Sequence, residues 1–411
     1  MNEGSSPRIA VAQLGARMHY AVPNILERGE MLDQLYTDIC ATKDWPRHLH
    51  TMVPREWRPS ALQRLLDRVP EEVPPEKTTT FPWFGLSRAL RGRTQRTLSE
   101  KTANYIWAGQ RFGQLVTRGL GPGVNGVYAF KTAALEILEW AHAHGCLAMV
   151  EQPNVHRPVM HELLTREHEL HPNWEEEREG DRYLEKEAKR EAKEWEYADL
   201  IVCPSEFVRD GIRRSGGPVE KTTVVPYGVD FSPRSEPRTF PDRRLRVLTV
   251  GAVGLRKGSP YVLEAASESE ATFRIAGSIN VSEEARTRLE RHIGLLGRVP
   301  RSEVKRHYDW ADVFLLPSIC EGSATVVYEA LAQALPVICT PNTGSIVRDG
   351  EEGFIIPIRD SDAIVERLTQ LRWNSKLYQS MSEQALSRYR EEGSLEAYGE
   401  RLTRSIQDAF R

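Results

Sequence analysis

Short apolar, β-branched runs alternate with helix-patterned stretches along the whole chain, and that alternation sharply limits the available folds. Such runs stand at Arg8 to Leu14, Val127 to Phe130, Leu147 to Glu151 and Leu200 to Cys203 in the first half. In the second half they stand at Leu245 to Val250, Phe273 to Ala276, Val313 to Leu316, Val337 to Cys339 and Phe354 to Ile356. Strands separated by helical crossovers form parallel sheets covered by helices on both faces, an α/β fold. At 411 residues, 40% of them hydrophobic, the chain is long enough for two cores, and the polar, proline-dotted run Ser232 to Arg244 is the natural joint. Ligands of open parallel sheets gather at the carboxyl ends of the strands, so the cleft between the two domains is the expected site.

Two of those carboxyl ends carry suggestive chemistry. The stretch Leu315 to Glu329, LLPSICEGSATVVYE, sets Glu321 and Glu329 eight positions apart around a strand-to-helix turn, where they could grip a polyol twice. Gly322 allows close backbone approach, Ser323 is the expected N-cap, and Val327, Ala330, Leu331 and Ala334 form a helical stripe from which Glu329 stands apart. The stretch Val247 to Gly258, VLTVGAVGLRKG, ends in a glycine-rich turn with Arg256 and Lys257, followed by Ser259 as the expected N-cap and Pro260 at the first helical position. Two cations beside free amides at a helix start suit a diphosphate. A Walker loop would need glycine where Arg256 stands, and a dinucleotide fingerprint lacks its third glycine in register.

Together these segments resemble glycosyltransferase family 4, retaining enzymes of the GT-B fold with a Glu-x7-Glu signature. Further likenesses run in order from about residue 200 to 370: VPYGVD (225–230) is similar to the family's interdomain hinge, ADVFLLPS (311–318) to the strand before the first Glu, and 336–357 to its Pro-Val, Gly344, Asp349, Gly350, Gly353 pattern. The resemblance implies two Rossmann-like domains facing each other across a cleft. Residues 1–231 would form the acceptor-side domain with an insertion at about 45–100, residues 232–390 the nucleotide-sugar domain, and residues 391–411 a helix returning to the first domain. It implies that Glu321 contacts donor-sugar hydroxyls and Glu329 the ribose, with Val299 beside the base. Gly254, Arg256, Lys257 and the amides of Gly322, Ser323, Ala324 and Thr325 would surround the diphosphate, and His156 would be the active-site histidine. Three departures matter, the first being that the segment 336–357 is shorter than the family's common form between Thr340 and Asp349, in the region that would face the donor sugar. Ala252 replaces the family's usual arginine, whose charge is transferred to Arg256, and a bulkier opening loop (Gly15 to Pro23) puts Arg17 and His19 on the acceptor side.

The implied activity is a retaining, hexosyltransferase-type transfer from a nucleoside-diphosphate sugar to a hydroxyl of a glycan, lipid-linked or small-molecule acceptor. It uses no cofactor and no metal, since no Asp-x-Asp stands near the phosphate turn and Asp360 and Asp362 lie away from it. The alternatives are a nucleotide-sugar epimerase or hydrolase of the same fold, or a non-catalytic nucleotide-sugar-binding protein. A net charge of −3 gives no electrostatic case for nucleic-acid binding, and no apolar leader or span stands out, so a cytoplasmic protein is expected, with peripheral contact at the inner membrane face left open. Cys40, Cys146, Cys203, Cys320 and Cys339 lack C-x-x-C spacing and read as reduced core thiols. The aromatic and basic stretch Trp45 to Arg96 reads as an insertion with its own small core, an acceptor site or membrane contact being the other reading. Trp174 to Tyr197 reads as a solvated helix, and His142, His144 and His161 as surface residues.

Overall fold

The computed structural model describes residues 6–54, 57–176 and 181–411. Met1 to Ser5 at the start of the chain, where no apolar leader is expected, Arg55 and Glu56 inside the expected insertion, and Glu177 to Gly180 inside the expected solvated helix lie outside the described residues. Two parallel sheets dominate. The first holds β1 (Ile9–Gln13), β2 (Leu32–Thr37), β3 (Thr78–Thr80), β4 (Gly126–Phe130), β5 (Leu147–Glu151), β6 (Leu200–Cys203) and β7 (Thr222–Val224), in the order β3-β2-β1-β4-β5-β6-β7. The second holds β8 (Arg246–Val250), β9 (Thr272–Ala276), β10 (Ile293–Leu295), β11 (Val313–Leu316), β12 (Val337–Cys339) and β13 (Gly353–Ile355), in the order β10-β9-β8-β11-β12-β13. The nine runs read from the sequence are all strands. Those missed, β2, β3, β7 and β10, are short or interrupted by polar and half-exposed residues, so no continuous apolar run announces them.

Each sheet changes winding direction at one place, between β1 and β4 in the first and between β8 and β11 in the second. The register Val313 to Val247 and Phe314 to Leu248 sets the loops that follow β8 and β11 side by side. That is the crevice where ligands of doubly wound sheets bind.

Among the described residues, the chain crosses between the two halves in three places. The run 232–244 is pinned to the second half by Arg238, whose guanidinium donates to the carbonyls of Gln333, Tyr308 and Ala311. The last helix, Leu395–Ala409, buries Tyr398, Leu402 and Ile406 among Ile25, Leu26 and Tyr227 of the first half. The third crossing has no sequence signal: the helix Arg157–Leu170 and the turn after it send Val159, Leu163 and Trp174 into the core of the second half, beside Leu255 and Tyr261.

Two expectations need correction. Among the described residues, 45–100 do not close a small core of their own. The helix Asp44–Met52 buries only Pro46, whereas β3 joins the first sheet, and Phe81 and Phe84 pack with Phe112 in the core of that sheet. Nor is the helix Leu184–Tyr197 solvated all round. Trp195 is buried, and Arg190, Glu191 and Glu194 turn inward because each finds a partner there: Arg190 pairs with Glu136, Glu191 with Lys131, and Glu194 accepts from the Thr132, Ala134 and Leu135 amides. All five cysteines are buried and unpaired with one another.

Candidate functional site

The loop after β8 is shaped by one glycine. Gly258 has φ +70°, and a Cβ there would lie 2.1 Å from the Pro317 carbonyl oxygen, so both backbone conformation and space require glycine. It ends the turn Leu255–Lys257 and stands as N-cap of the helix Ser259–Glu268. Ser259 is therefore not the cap; its hydroxyl instead accepts from the Trp174 indole N–H at 2.9 Å. The turn aims Arg256 and Lys257 at the neighbouring loop.

There, Glu321 meets both cations. Lys257 Nζ lies 2.8 Å from Glu321 Oε1 and Arg256 Nη2 2.8 Å from Oε2. Arg256 also ties the two loops together, donating from Nε to the Cys320 carbonyl and accepting from the Ile319 amide. Burial pushes the Lys257 ammonium below the usual lysine range, and the Glu321 carboxylate pulls it part of the way back.

Glu329 stands on the next helix, Thr325–Ala332, and accepts from the Tyr308 hydroxyl at 2.7 Å; burial raises its carboxyl above the usual range. The N-cap of that helix is Ala324, without a side-chain bond, because the Ser323 hydroxyl pairs with Tyr328 instead. The Ala324 amide donates to the Thr343 carbonyl, so it is not a free donor toward a phosphate. Thr325 opens the helix half-buried, and Val299 lies half-buried on the loop between β10 and the helix Arg301–Trp310.

The first half closes over these loops. A Cβ at Gly322 would fall 1.8 Å from the Pro153 carbonyl oxygen, and Ser205 donates to the Gly322 carbonyl. Glu175 accepts from the Leu255 amide at 2.7 Å, the amide next to the cationic pair. At the other rim His19, in the left-handed region with Met18 and Tyr20, lies 2.8 Å from Arg301, while Arg17 extends over the Phe130 ring.

His156 is engaged within the first half. Its Nδ1 lies 2.7 Å from the Ser215 hydroxyl, its Nε2 3.7 Å from Glu191, and its ring is tilted against Trp195, so its buried imidazole belongs to the interior of the first half. Sequence reasoning also passed over the Lys131, Gln152 and Glu191 cluster beside it, in which both other side chains donate to Glu191. Lys131 directly follows β4, and a cation at a strand's carboxyl end was the available signal. Among the described residues no three His, Cys, Asp or Glu side chains are grouped to hold a metal ion, and no helix is long and apolar enough to cross a membrane.

The chain resembles known proteins in sequence and in fold. Residues 232–388 match the family of glycosyl transferases group 1. The putative colanic acid biosynthesis glycosyltransferase WcaL of Salmonella typhimurium is 31% identical over 214 residues, which cover 47% of this chain and 52% of that protein. The amylovoran biosynthesis glycosyltransferase AmsK of Erwinia amylovora is 27% identical over 198 residues, covering 42% of this chain and 47% of that protein. The chain thus spans about half the length of the curated relatives it matches. Among solved structures, Anabaena Alr3699/HepE in complex with UDP superposes with a TM-score of 0.63 at 12% identity, covering 98% of this chain and 100% of that one. Sucrose-phosphate synthase (tll1590) from Thermosynechococcus elongatus gives 0.66 at 15% identity, covering 98% and 99%. The fold is accordingly GT-B, and its second half carries the sequence pattern of group 1 glycosyl transferases.

Proposed function

We propose that this chain is a retaining glycosyltransferase that moves a sugar from a nucleoside-diphosphate sugar to an acceptor hydroxyl. The observation that carries this reading is the meeting of Glu321 with Lys257 and Arg256 where the loops after β8 and β11 adjoin, with Glu329 one helix further on. Before donor binds, the carboxylate holds the two cations in place. When donor enters, the diphosphate takes the cations and Glu321 turns to the sugar hydroxyls, while Glu329, oriented by Tyr308, accepts from the ribose.

In the transfer step the bond from the anomeric carbon to the phosphate oxygen breaks and the diphosphate leaves with the electron pair. The acceptor oxygen bonds to that carbon on the same face, and its proton passes to the departing phosphate. Preorganised cations stabilise the charge that develops on the leaving group, so the reading requires no metal. His156 takes no part in the chemistry and instead secures the turn that carries Pro153 and Asn154 against Gly322. The likeness of the fold to a protein crystallised with UDP favours a uridine nucleotide, and relatives named for colanic acid and amylovoran biosynthesis favour a glycan or glycolipid acceptor.

The test is thermal unfolding against UDP, GDP and ADP. A ligand at 100 times its dissociation constant adds about 2.7 kcal/mol to folded-state stability. A shift with one nucleoside diphosphate supports the donor site and selects the base; no shift with any of them overturns the reading.

A further inference from the structure

Of the large apolar side chains exposed among the described residues, six of nine fall between residues 52 and 105, so the exposure is concentrated rather than scattered. Three of them lie on the helix Pro82–Arg93 at positions that share one face: Trp83 (75% exposed), Leu86 (38%) and Leu90 (52%). The opposite face buries Phe84 and Gly85, so the outward stripe is not a misplaced core face. By helical geometry Arg91 and Arg93 flank the stripe on its two sides. Tyr105, also exposed, stands on the adjoining helix Leu98–Thr117. Between the two helices runs an open apolar groove of about 480 Å³, lined by Phe81, Trp83, Trp107 and Leu115 with Arg111 beside them.

Charge points to the occupant. From Pro82 to Arg118 there are seven basic residues and one acidic, although the chain as a whole is net −3. The single acid, Glu100, is occupied in a capping box, accepting from the Arg96 and Thr97 amides. An apolar stripe between arginines, on a locally cationic surface, is the pattern of a helix that lies in the headgroup layer of an anionic membrane. The face is also wired to the cleft. Arg88, on the inner side of the same helix, pairs with Asp38 at 2.9 Å, and Asp38 accepts from the Gly15 amide of the loop after β1 at 3.0 Å.

We infer that the Pro82–Arg93 helix, with the neighbouring rim of the Leu98–Thr117 helix, is a docking face for an anionic lipid bilayer. Docked there, the Gly15 loop at the acceptor side of the cleft is held close to the lipid surface, so the acceptor is a membrane-borne one. That last step rests on the transferase reading; the docking face itself does not.

The test is co-sedimentation of the full chain with vesicles of phosphatidylcholine alone or with about 30% phosphatidylglycerol, the anionic fraction supplying the attraction. The wild type sediments with the anionic vesicles, less as salt rises, and not with the neutral ones. Replacing Trp83, Leu86 and Leu90 together by Ser abolishes sedimentation, and Arg91→Gln with Arg93→Gln weakens it about 25-fold, roughly fivefold for each charge. These exposed substitutions leave the unfolding temperature and its shift with nucleoside diphosphate in place. Failure of the wild type to bind anionic vesicles overturns the inference, as does unchanged binding by the triple variant. So does a wild-type dimer, seen by light scattering, that the triple variant loses, since a second copy of the chain is then the occupant. Vesicle binding without any nucleotide shift leaves the docking face standing and removes the transferase reading; the reverse result does the opposite.

Discussion

Replacing Glu321 by Gln separates the two tasks given to that carboxylate. In the unliganded protein Glu321 competes with a diphosphate for Lys257 and Arg256. The Arg256 side chain is 46% exposed, so its pair contributes only about 0–1 kcal/mol. Lys257 and Glu321 are 16% and 9% exposed, and two charges about 4 Å apart at an effective dielectric constant of about 20 attract by roughly 4 kcal/mol. Desolvation offsets most of that. A net competition of roughly 1–2 kcal/mol remains, so Glu321→Gln should tighten the binding of a bare nucleoside diphosphate by about 5- to 30-fold. Turnover of the sugar donor should fall about a hundredfold, because the amide cannot replace a carboxylate that accepts from sugar hydroxyls. The unliganded variant should also lose about 1–3 kcal/mol of stability, since Lys257 is left buried without its main partner. Isothermal titration with UDP, GDP and ADP, beside a donor-consumption assay, reads both effects. Unchanged or weaker diphosphate binding in this variant would refute the competition, and with it the placing of the phosphates at Lys257.

Lys257→Ala should weaken diphosphate binding by about 10- to 100-fold, the loss of one charge-assisted contact, with circular dichroism unchanged; wild-type affinity in this variant would place the phosphates elsewhere. Tyr308→Phe leaves Glu329 without the hydroxyl that orients it and should raise KM for the donor by about fivefold at nearly constant kcat, measured by steady-state kinetics. Gly322→Ala drives a methyl against the Pro153 carbonyl and should part the two halves, abolishing transfer while nucleotide-dependent thermal stabilisation survives. Burial holds the His156 imidazole below its ordinary pKa of 6.5, so the unfolded chain takes up its proton first on acidification. Its contribution to stability is complete above pH 6.5 and is lost as pH falls through the lowered folded value; His156→Gln should flatten that part of the stability profile in thermal melts.

Much of the architecture was legible because parallel strands buried on both faces must be apolar throughout. Val313 to Leu316 and Val337 to Cys339 are fully buried and their bounds were read to the residue. Edge strands obey no such demand, and β3, three threonines, shows no pattern of its own. The caps show a different limit. Ser259 and Ser323 both stand where a serine cap is favourable, but each hydroxyl has a better partner that is distant in sequence or on the far side of the turn, Trp174 and Tyr328. Propensity describes local options only, and packing chooses among them.

The sequence by itself determined the two parallel sheets, the glycine-rich turn at Gly258, the residues Lys257 and Glu321 in the loops after strand ends, and Glu329 on the helix that follows. These follow from period, burial and backbone freedom, which act over a few neighbouring residues. Only the tertiary structure decided that Glu321 closes on both cations, that His156 turns inward to Ser215, that the Arg157–Leu170 helix packs on the other half, and that Trp83, Leu86 and Leu90 remain uncovered. Each of those outcomes depends on which distant groups arrive at the same place. Side-chain identity states what a residue can pair with, but the register of β8 against β11 and the closing of the two halves settle which partner is there.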